Sequence, residues 1–230
     1  MGEALNVDQE TVDSWNDAAK VYHRFWQKNW LRTYGPKYLK KSKLLPYFGK
    51  MIGDKKKVKI ADIGTGLLVS IGHYWDTAEV EIYPMDLFAE EYARFLTSMN
   101  MVPLIPVEKQ DMLNLKYSDS FFDIVHCSNA LDHCVDPRKA ISEMIRVCKA
   151  EGYIYLRHFT RCGFKQKYHS LHKWNIDYDK HSKDCVFWTK EGKTEFKLSE
   201  CTNGLKSKFE SWRSREGKAH VMCISIMRKE

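Results

Sequence analysis

The run Val58-Lys-Ile-Ala-Asp62-Ile-Gly64-Thr-Gly66, followed by Tyr83-Pro-Met-Asp86, constrains this chain more than any other feature. A short segment rich in β-branched residues ends in an acid and opens into a glycine-bearing turn. A second short strand ends in another aspartate twenty-four residues on, close to the distance a strand–helix–strand unit needs to present an acid to a ribose. Gly64 and Gly66 let backbone come close to a ligand. The pattern describes an α/β unit that holds an adenosine-containing cofactor.

At 230 residues the chain is one domain of ordinary size, or one domain with an appended cap. Its 43% hydrophobic content suffices for a core. No stretch approaches the roughly 20 apolar residues of a membrane span. The N-terminus lacks the basic and apolar regions of a signal peptide, so a cytoplasmic location is expected. Met1-Gly2 is followed by Asn6 where a myristoylation signal wants Ser or Thr. Seven cysteines, at 127, 134, 148, 162, 185, 201 and 223, form no Cys-x-x-Cys pair. They read as reduced thiols, not as a disulfide framework or zinc site. The net charge of +7 owes much to Lys37, Lys40, Lys41, Lys43, Lys50 and Lys55 to Lys57. Nucleic acid could bind such a cluster, but a solvated lysine face is the simpler reading.

Helical periodicity runs from about Asp13 to Lys50. Trp15, Ala19, Tyr22, Trp26 and Trp30 recur at spacings of three and four and make one aromatic face. Gly35-Pro36 breaks this helix, and a second is expected from Pro36 towards Phe48. Residues 1–50 thus read as an N-terminal helical cap and 51–230 as the main domain. The aromatic stripe packs on the core, or forms a lid whose Tyr22 and Trp26 meet substrate. Beyond Val58 the chain alternates in the α/β manner. Strands are expected at 58–63, 79–85, 103–108, 122–127, 152–160, 184–190 and 220–228, and helices at 68–75, 88–99 and 137–149. A hairpin turn at Glu191-Gly192-Lys193 joins 184–190 to 194–198, and a polar, aromatic, histidine-rich insertion spans about 160–182. The expected fold is α/β and Rossmann-like: a seven-stranded, mostly parallel sheet with helices on both faces and the helical cap.

The dinucleotide fingerprint Gly-x-Gly-x-x-Gly wants a third glycine where this chain has Val69, which weakens an NAD-dependent oxidoreductase reading. The stretches that follow are more specific. They are Gln110-Asp111-Met112-Leu113, then Ser120-Phe-Phe-Asp123-Ile-Val125 with Ser128-Asn129, then Leu131-Asp-His133-Cys-Val-Asp136-Pro137, and Glu143-Met-Ile-Arg146-Val-Cys-Lys149. With the glycine turn, these resemble class I S-adenosylmethionine-dependent methyltransferases with a type 11-like core, over residues 58–160. The departures are Leu68 in place of a frequent third glycine and Glu151-Gly152 in place of Gly-Gly. The resemblance implies that Asp62, Gly64 and Gly66 line the methionine end of S-adenosylmethionine. It implies that Asp86 accepts the ribose hydroxyls, a paired acceptor for paired donors. Asp111 would take the adenine amine with Met112 beside the ring, and Ser128 and Asn129 would lie near the methionine carboxylate or the methyl.

For the methyl acceptor, absences help. Ser128-Asn-Ala-Leu131 is not the Asn/Asp-Pro-Pro-Tyr of amino-methylating DNA enzymes, and no Pro-Cys nucleophile of cytosine enzymes occurs. Nucleic acid is therefore not the expected substrate. A small polar or anionic molecule is expected, O-methylated with His133 as base or substrate ligand, since histidine titrates near neutrality. Arg157, His158, His169, His172 and Trp174 form the expected substrate wall. The Leu-His-x-Trp-Asn portion resembles, more weakly, methyltransferases of bacterial polysaccharide and natural-product clusters, so a sugar nucleotide or glycan precursor fits. No metal is expected, because no compact carboxylate set joins these histidines in sequence. The rivals are a non-catalytic partner subunit of the same fold and the oxidoreductase. The oligomeric state is expected to be monomer or homodimer.

Overall fold

The computed structural model describes residues 35–203, 205–213 and 220–227. Its centre is a sheet in which β1 (Lys57–Ile63), β2 (Glu79–Asp86), β3 (Glu108–Lys109), β4 (Phe122–Ser128) and β5 (Cys148–Phe159) run parallel. Two later strands, β9 (Ser207–Arg213) and β10 (His220–Met227), complete it in the order β3-β2-β1-β4-β5-β10-β9, with β10 antiparallel to both its neighbours. Ile60 pairs in register with Ile82 on one side and Ile124 on the other. The middle strands are buried on both faces, which is why they read as continuous apolar runs.

Helices α1 (Gly35–Tyr38) and α2 (Phe48–Ile52) precede the sheet, and Phe48 and Ile52 are fully buried against it. The expected continuous helix from Pro36 towards Phe48 is thus two short pieces, split by residues 39–47. The aromatic stripe from Trp15 to Trp30, with Tyr22 and Trp26, lies outside the described residues.

The main corrections follow from local chemistry. The helix expected at 68–75 is absent, and this segment runs beside residues 42–45. Leu44 N–H donates to Tyr74 O at 2.9 Å and Leu45 N–H to Ile71 O at 2.9 Å. Gly72 sits at φ +102°, which no helix allows, and Leu67, Leu68, Val69 and Ile71 are all buried, leaving no polar face for a surface helix. The strand expected at 103–108 shrinks to Glu108–Lys109, because Pro103 and Pro106 withhold ladder donors. The expected helices at 88–99 and 137–149 are α3 (Ala89–Ser98) and α4 (Pro137–Val147). Asp136 caps α4 by accepting Lys139 N–H at 3.1 Å, with Pro137 at its first position.

The insertion carries α5 (Cys162–Lys165) and opens a second sheet. In it, β6 (Asn175–Asp179) and β8 (Thr194–Lys197) flank β7 (Asp184–Trp188), all antiparallel. A last short helix, α6 (Leu198–Thr202), follows β8.

The Glu-x-x-Arg pair of α4 is a structural clamp. Arg146 forks onto Glu143 at 2.8 Å through Nε and Nη2, and donates to Leu115 O and Tyr117 O. Glu143 Oε2 also accepts Leu115 N–H at 2.9 Å. The clamp ties the segment after β3 to α4, a bidentate geometry lysine cannot reproduce.

Candidate active site

A cavity of about 790 Å³ opens at the carboxyl ends of β1 to β5, where open α/β sheets bind ligands. Gly64 to Gly66 line it after β1, Asp86 to Phe88 after β2, Gln110 to Leu113 after β3 and Ser128 with Asn129 after β4. The insertion adds Cys162, Gln166 and His169 to His172.

The turn after β1 is built for close approach. Gly64 and Gly66 adopt φ of +67° and +76°. A Cβ on Gly64 would collide with the Ala130 methyl. The Gly64 and Thr65 N–H groups donate to Met85 O at 2.8 and 3.1 Å, which binds the turn to the end of β2. There Asp86 accepts Gly66 N–H through Oδ2 at 3.0 Å and Phe88 N–H through Oδ1 at 2.9 Å. Each oxygen keeps lone-pair capacity for a ribose hydroxyl. Burial pushes the Asp86 carboxyl up, against the two backbone donors and the His133 charge. Asp111 accepts Leu113 N–H at 2.9 Å through Oδ1, with Met112 beside it on the wall. A glycine cradle, an acid at the second strand and an acid with a thioether after the third together offer the acceptors and close backbone that suit an adenosine-bearing sulfonium.

Asp62 differs from the expected wall position. It is 2% exposed and lies behind the turn. Its Oδ1 pairs with His126 Nδ1 at 2.7 Å, and its Oδ2 accepts the Thr65 hydroxyl. The far nitrogen of His126 lies 3.1 Å from Tyr47 Oη, and Tyr47 stacks on Tyr155 with ring centres 4.5 Å apart. Asp62 thus holds the glycine turn from below.

His133 ends a 3-10 turn (Leu131–His133) and lines the cavity. The insertion is fastened to this turn: Lys173 and Trp174 N–H both donate to Asp132 O, at 3.0 and 3.2 Å. Lys167, Tyr168 and Ser170 take left-handed φ of 53° to 56°, coiling the chain tightly enough to carry His169 and His172 into the cavity. Asp132 Oδ2 lies 2.8 Å from His172 Nδ1 and 3.2 Å from His133 Nε2, and those two nitrogens are 3.0 Å apart. Burial raises the Asp132 carboxyl, but the charges and hydrogen bonds of His133 and His172 overcome it and hold the carboxyl well below the usual range. A carboxylate therefore joins the histidines after all, correcting the expectation that none does. The adjacent pair Asp132-His133 was the available signal for this residue.

The remaining wall candidates separate. Arg157 lies on β5 with Nη1 3.5 Å from Ser128 Oγ and is not among the cavity-lining residues. His158 is 1% exposed with no hydrogen-bond partner on either ring nitrogen, and burial lowers its pKa to about 4. Trp174 packs against Phe196 and donates its indole N–H to Cys134 O at 2.8 Å, a packing role. Asn129 lines the cavity at φ +50° and accepts Phe159 N–H at 2.9 Å. Burial pushes the thiols of Cys134 and Cys162 up to about 12, so both stay neutral beside the cavity.

Sheet order, glycine cradle and paired acids form an α/β core of the kind found in class I S-adenosylmethionine-dependent methyltransferases, with a cavity suited to S-adenosylmethionine. Residues 61–156 match the family model described as Methyltransferase domain. Among solved structures, the chain is similar to 1,6-didemethyltoxoflavin-N1-methyltransferase of Burkholderia thailandensis, crystallised with bound 1,6-didemethyltoxoflavin and S-adenosylhomocysteine. Identity is 11%, coverage 100% of this chain and 94% of that one, and the TM-score 0.59. A putative S-adenosylmethionine-dependent methyltransferase of Methanococcus maripaludis matches at 14% identity, 100% and 98% coverage and a TM-score of 0.53. A putative methyltransferase of Haloferax volcanii, complexed with the Trm112 activator, matches at 14% identity, 95% and 97% coverage and 0.52. At such identities the likeness is one of fold. The curated proteins hold no match. No helix among the described residues is long and apolar enough to cross a membrane.

Proposed function

We propose that the chain O-methylates a small, polar, anionic biosynthetic intermediate of the sugar-nucleotide or glycan-precursor kind, in the cytoplasm. The observation that carries this is one cavity holding both the cofactor set, Gly64, Asp86 and Asp111, and a group of imidazoles, His133, His169 and His172. When bound, S-adenosylmethionine supplies an electrophilic methyl on a sulfonium. That methyl would pass to an acceptor oxygen, with sulfur keeping the bonding pair and the hydroxyl proton left for a protein base to take.

The protein's part is orientation, exclusion of water and management of one proton. Asp86 and Asp111 hold the ribose and adenine ends, and the cradle at Gly64 brings backbone against the ligand. His133, steadied by Asp132, meets the acceptor hydroxyl as base or as substrate ligand. Leu171, Phe159 and Cys134 line the cavity and help keep it dry. The imidazoles of His169 and His172 offer hydrogen-bonding groups to a polar or anionic acceptor. His133→Ala is expected to keep S-adenosylhomocysteine binding and lose turnover by about 10²-fold or more. Unchanged turnover on a methylated acceptor removes His133 from this role.

A further inference from the structure

We propose that Asp132, His133 and His172 form a binding site for one divalent transition-metal cation, opening onto the cofactor cavity. The three donor atoms lie 2.8, 3.0 and 3.2 Å from one another. A point about 2.1 Å from all three, the usual Zn–N and Zn–O length, therefore sits roughly 1.2 Å off their plane, as on one face of an octahedron. The rings give an independent check. Two imidazoles that coordinate one ion at right angles would have nitrogens about 3.0 Å and ring centres about 4.5 Å apart. His133 and His172 show 3.0 Å and 4.4 Å, with their planes at 73°. A nitrogen-to-nitrogen hydrogen bond of that length along both ring axes would hold the centres more than about 5 Å apart.

The chemistry of the set agrees. Two imidazoles and one carboxylate suit zinc or ferrous iron, whereas magnesium and calcium prefer oxygen alone. Asp132 is anchored from its own backbone by Lys173 and Trp174, so loop and insertion present their ligands as one rigid unit. All three residues line the cavity shared with Asp86 and Gly64. Positions left open on the ion would hold an acceptor bearing hydroxyl or carboxylate oxygens. That part rests on the methyl-transfer reading; the site itself does not. With a cation bound, His133 Nε2 is a ligand and meets the acceptor through the ion.

The test is calorimetry of the chelator-treated full chain with Zn²⁺, with S-adenosylhomocysteine titrated into the same preparation. One Zn²⁺ per chain is expected, with affinity falling at least about 100-fold in Asp132→Asn and in His172→Ala while S-adenosylhomocysteine still binds. X-ray absorption on the wild-type zinc complex covers the case of a variant that fails to fold. A shell of nitrogen and oxygen at about 2.0–2.1 Å supports the site, and a sulfur shell near 2.3 Å places zinc on cysteine and overturns it. Absence of saturable Zn²⁺ binding in a chain that binds S-adenosylhomocysteine overturns the site alone, as does zinc affinity unchanged in both variants. Zinc held by the trio without any S-adenosylhomocysteine binding leaves the site standing and sinks the methyl-transfer reading.

Discussion

The Asp86 carboxylate accepts the backbone N–H of Gly66 at 3.0 Å, so the end of the second strand and the turn after the first form one hydrogen-bonded unit. The residue proposed to hold a ribose therefore also fixes the glycine turn beside it. Asp86→Ala removes both functions. Two hydrogen bonds to a charged group, at about 1.5–3 kcal/mol each, put the expected loss of S-adenosylhomocysteine affinity at roughly 10²-fold or more. Titration calorimetry of the variant checks this, and retention of wild-type affinity would remove Asp86 from the seat.

Gly64→Ala meets two obstacles, a positive φ and the Ala130 methyl. The backbone term alone is about 1–2 kcal/mol. The variant should unfold at lower urea than wild type and bind cofactor poorly. Adding Ala130→Gly relieves the collision but not the φ, so stability should recover only in part. Full recovery would show that the turn does not need its left-handed backbone.

The buried Asp62–His126 pair, both partners nearly inaccessible, makes a sharp stability prediction. Removing Asp62 leaves a buried His126 nitrogen without its partner, an effect of about 1–3 kcal/mol. Asp62→Ala should therefore shift the urea midpoint strongly, and a double-mutant cycle with His126→Ala should give a coupling above roughly 0.5 kcal/mol. Additive effects would mean that the two side chains support the turn separately.

His158 carries a pH dependence. Its pKa falls to about 4 in the folded chain, from an ordinary 6.5, because burial disfavours the imidazolium. Between those values the unfolded chain binds more protons, so its contribution to stability is present above pH 6.5 and is lost as pH falls towards 4. The full loss is roughly 3 kcal/mol. His158→Phe sacrifices no hydrogen bond, since neither ring nitrogen has a partner. Relative to this variant, wild type should lose stability across that window in urea titrations. Parallel pH profiles would contradict a buried neutral His158.

The β1–turn–β2 unit was legible because its signals are local. A strand's apolar run, a glycine at positive φ and an acid at a strand end are each written within a few residues. The same holds for α4, announced by Asp136-Pro137. What escaped depends on distant partners. Residues 68–75 read as a helix, but Gly72 and the pairing with residues 42–45 decide their path. Asp62 looked like a cavity acid, yet His126, sixty-four positions later, draws it beneath the turn. His158 and Trp174 looked like substrate contacts because sequence shows residue type and not direction: one faces the interior and the other braces Cys134. The carboxylate joining His133 to His172 is adjacent to the first and forty residues from the second, so only the fold of the insertion reveals it.

Titration calorimetry of the purified chain with S-adenosylmethionine, and with S-adenosylhomocysteine, tests the cofactor seat most directly. One binding site per chain for each, weakened by Asp86→Ala, is the outcome expected. No heat of binding for either ligand, from a chain shown to be folded, would contradict the assignment of the cavity.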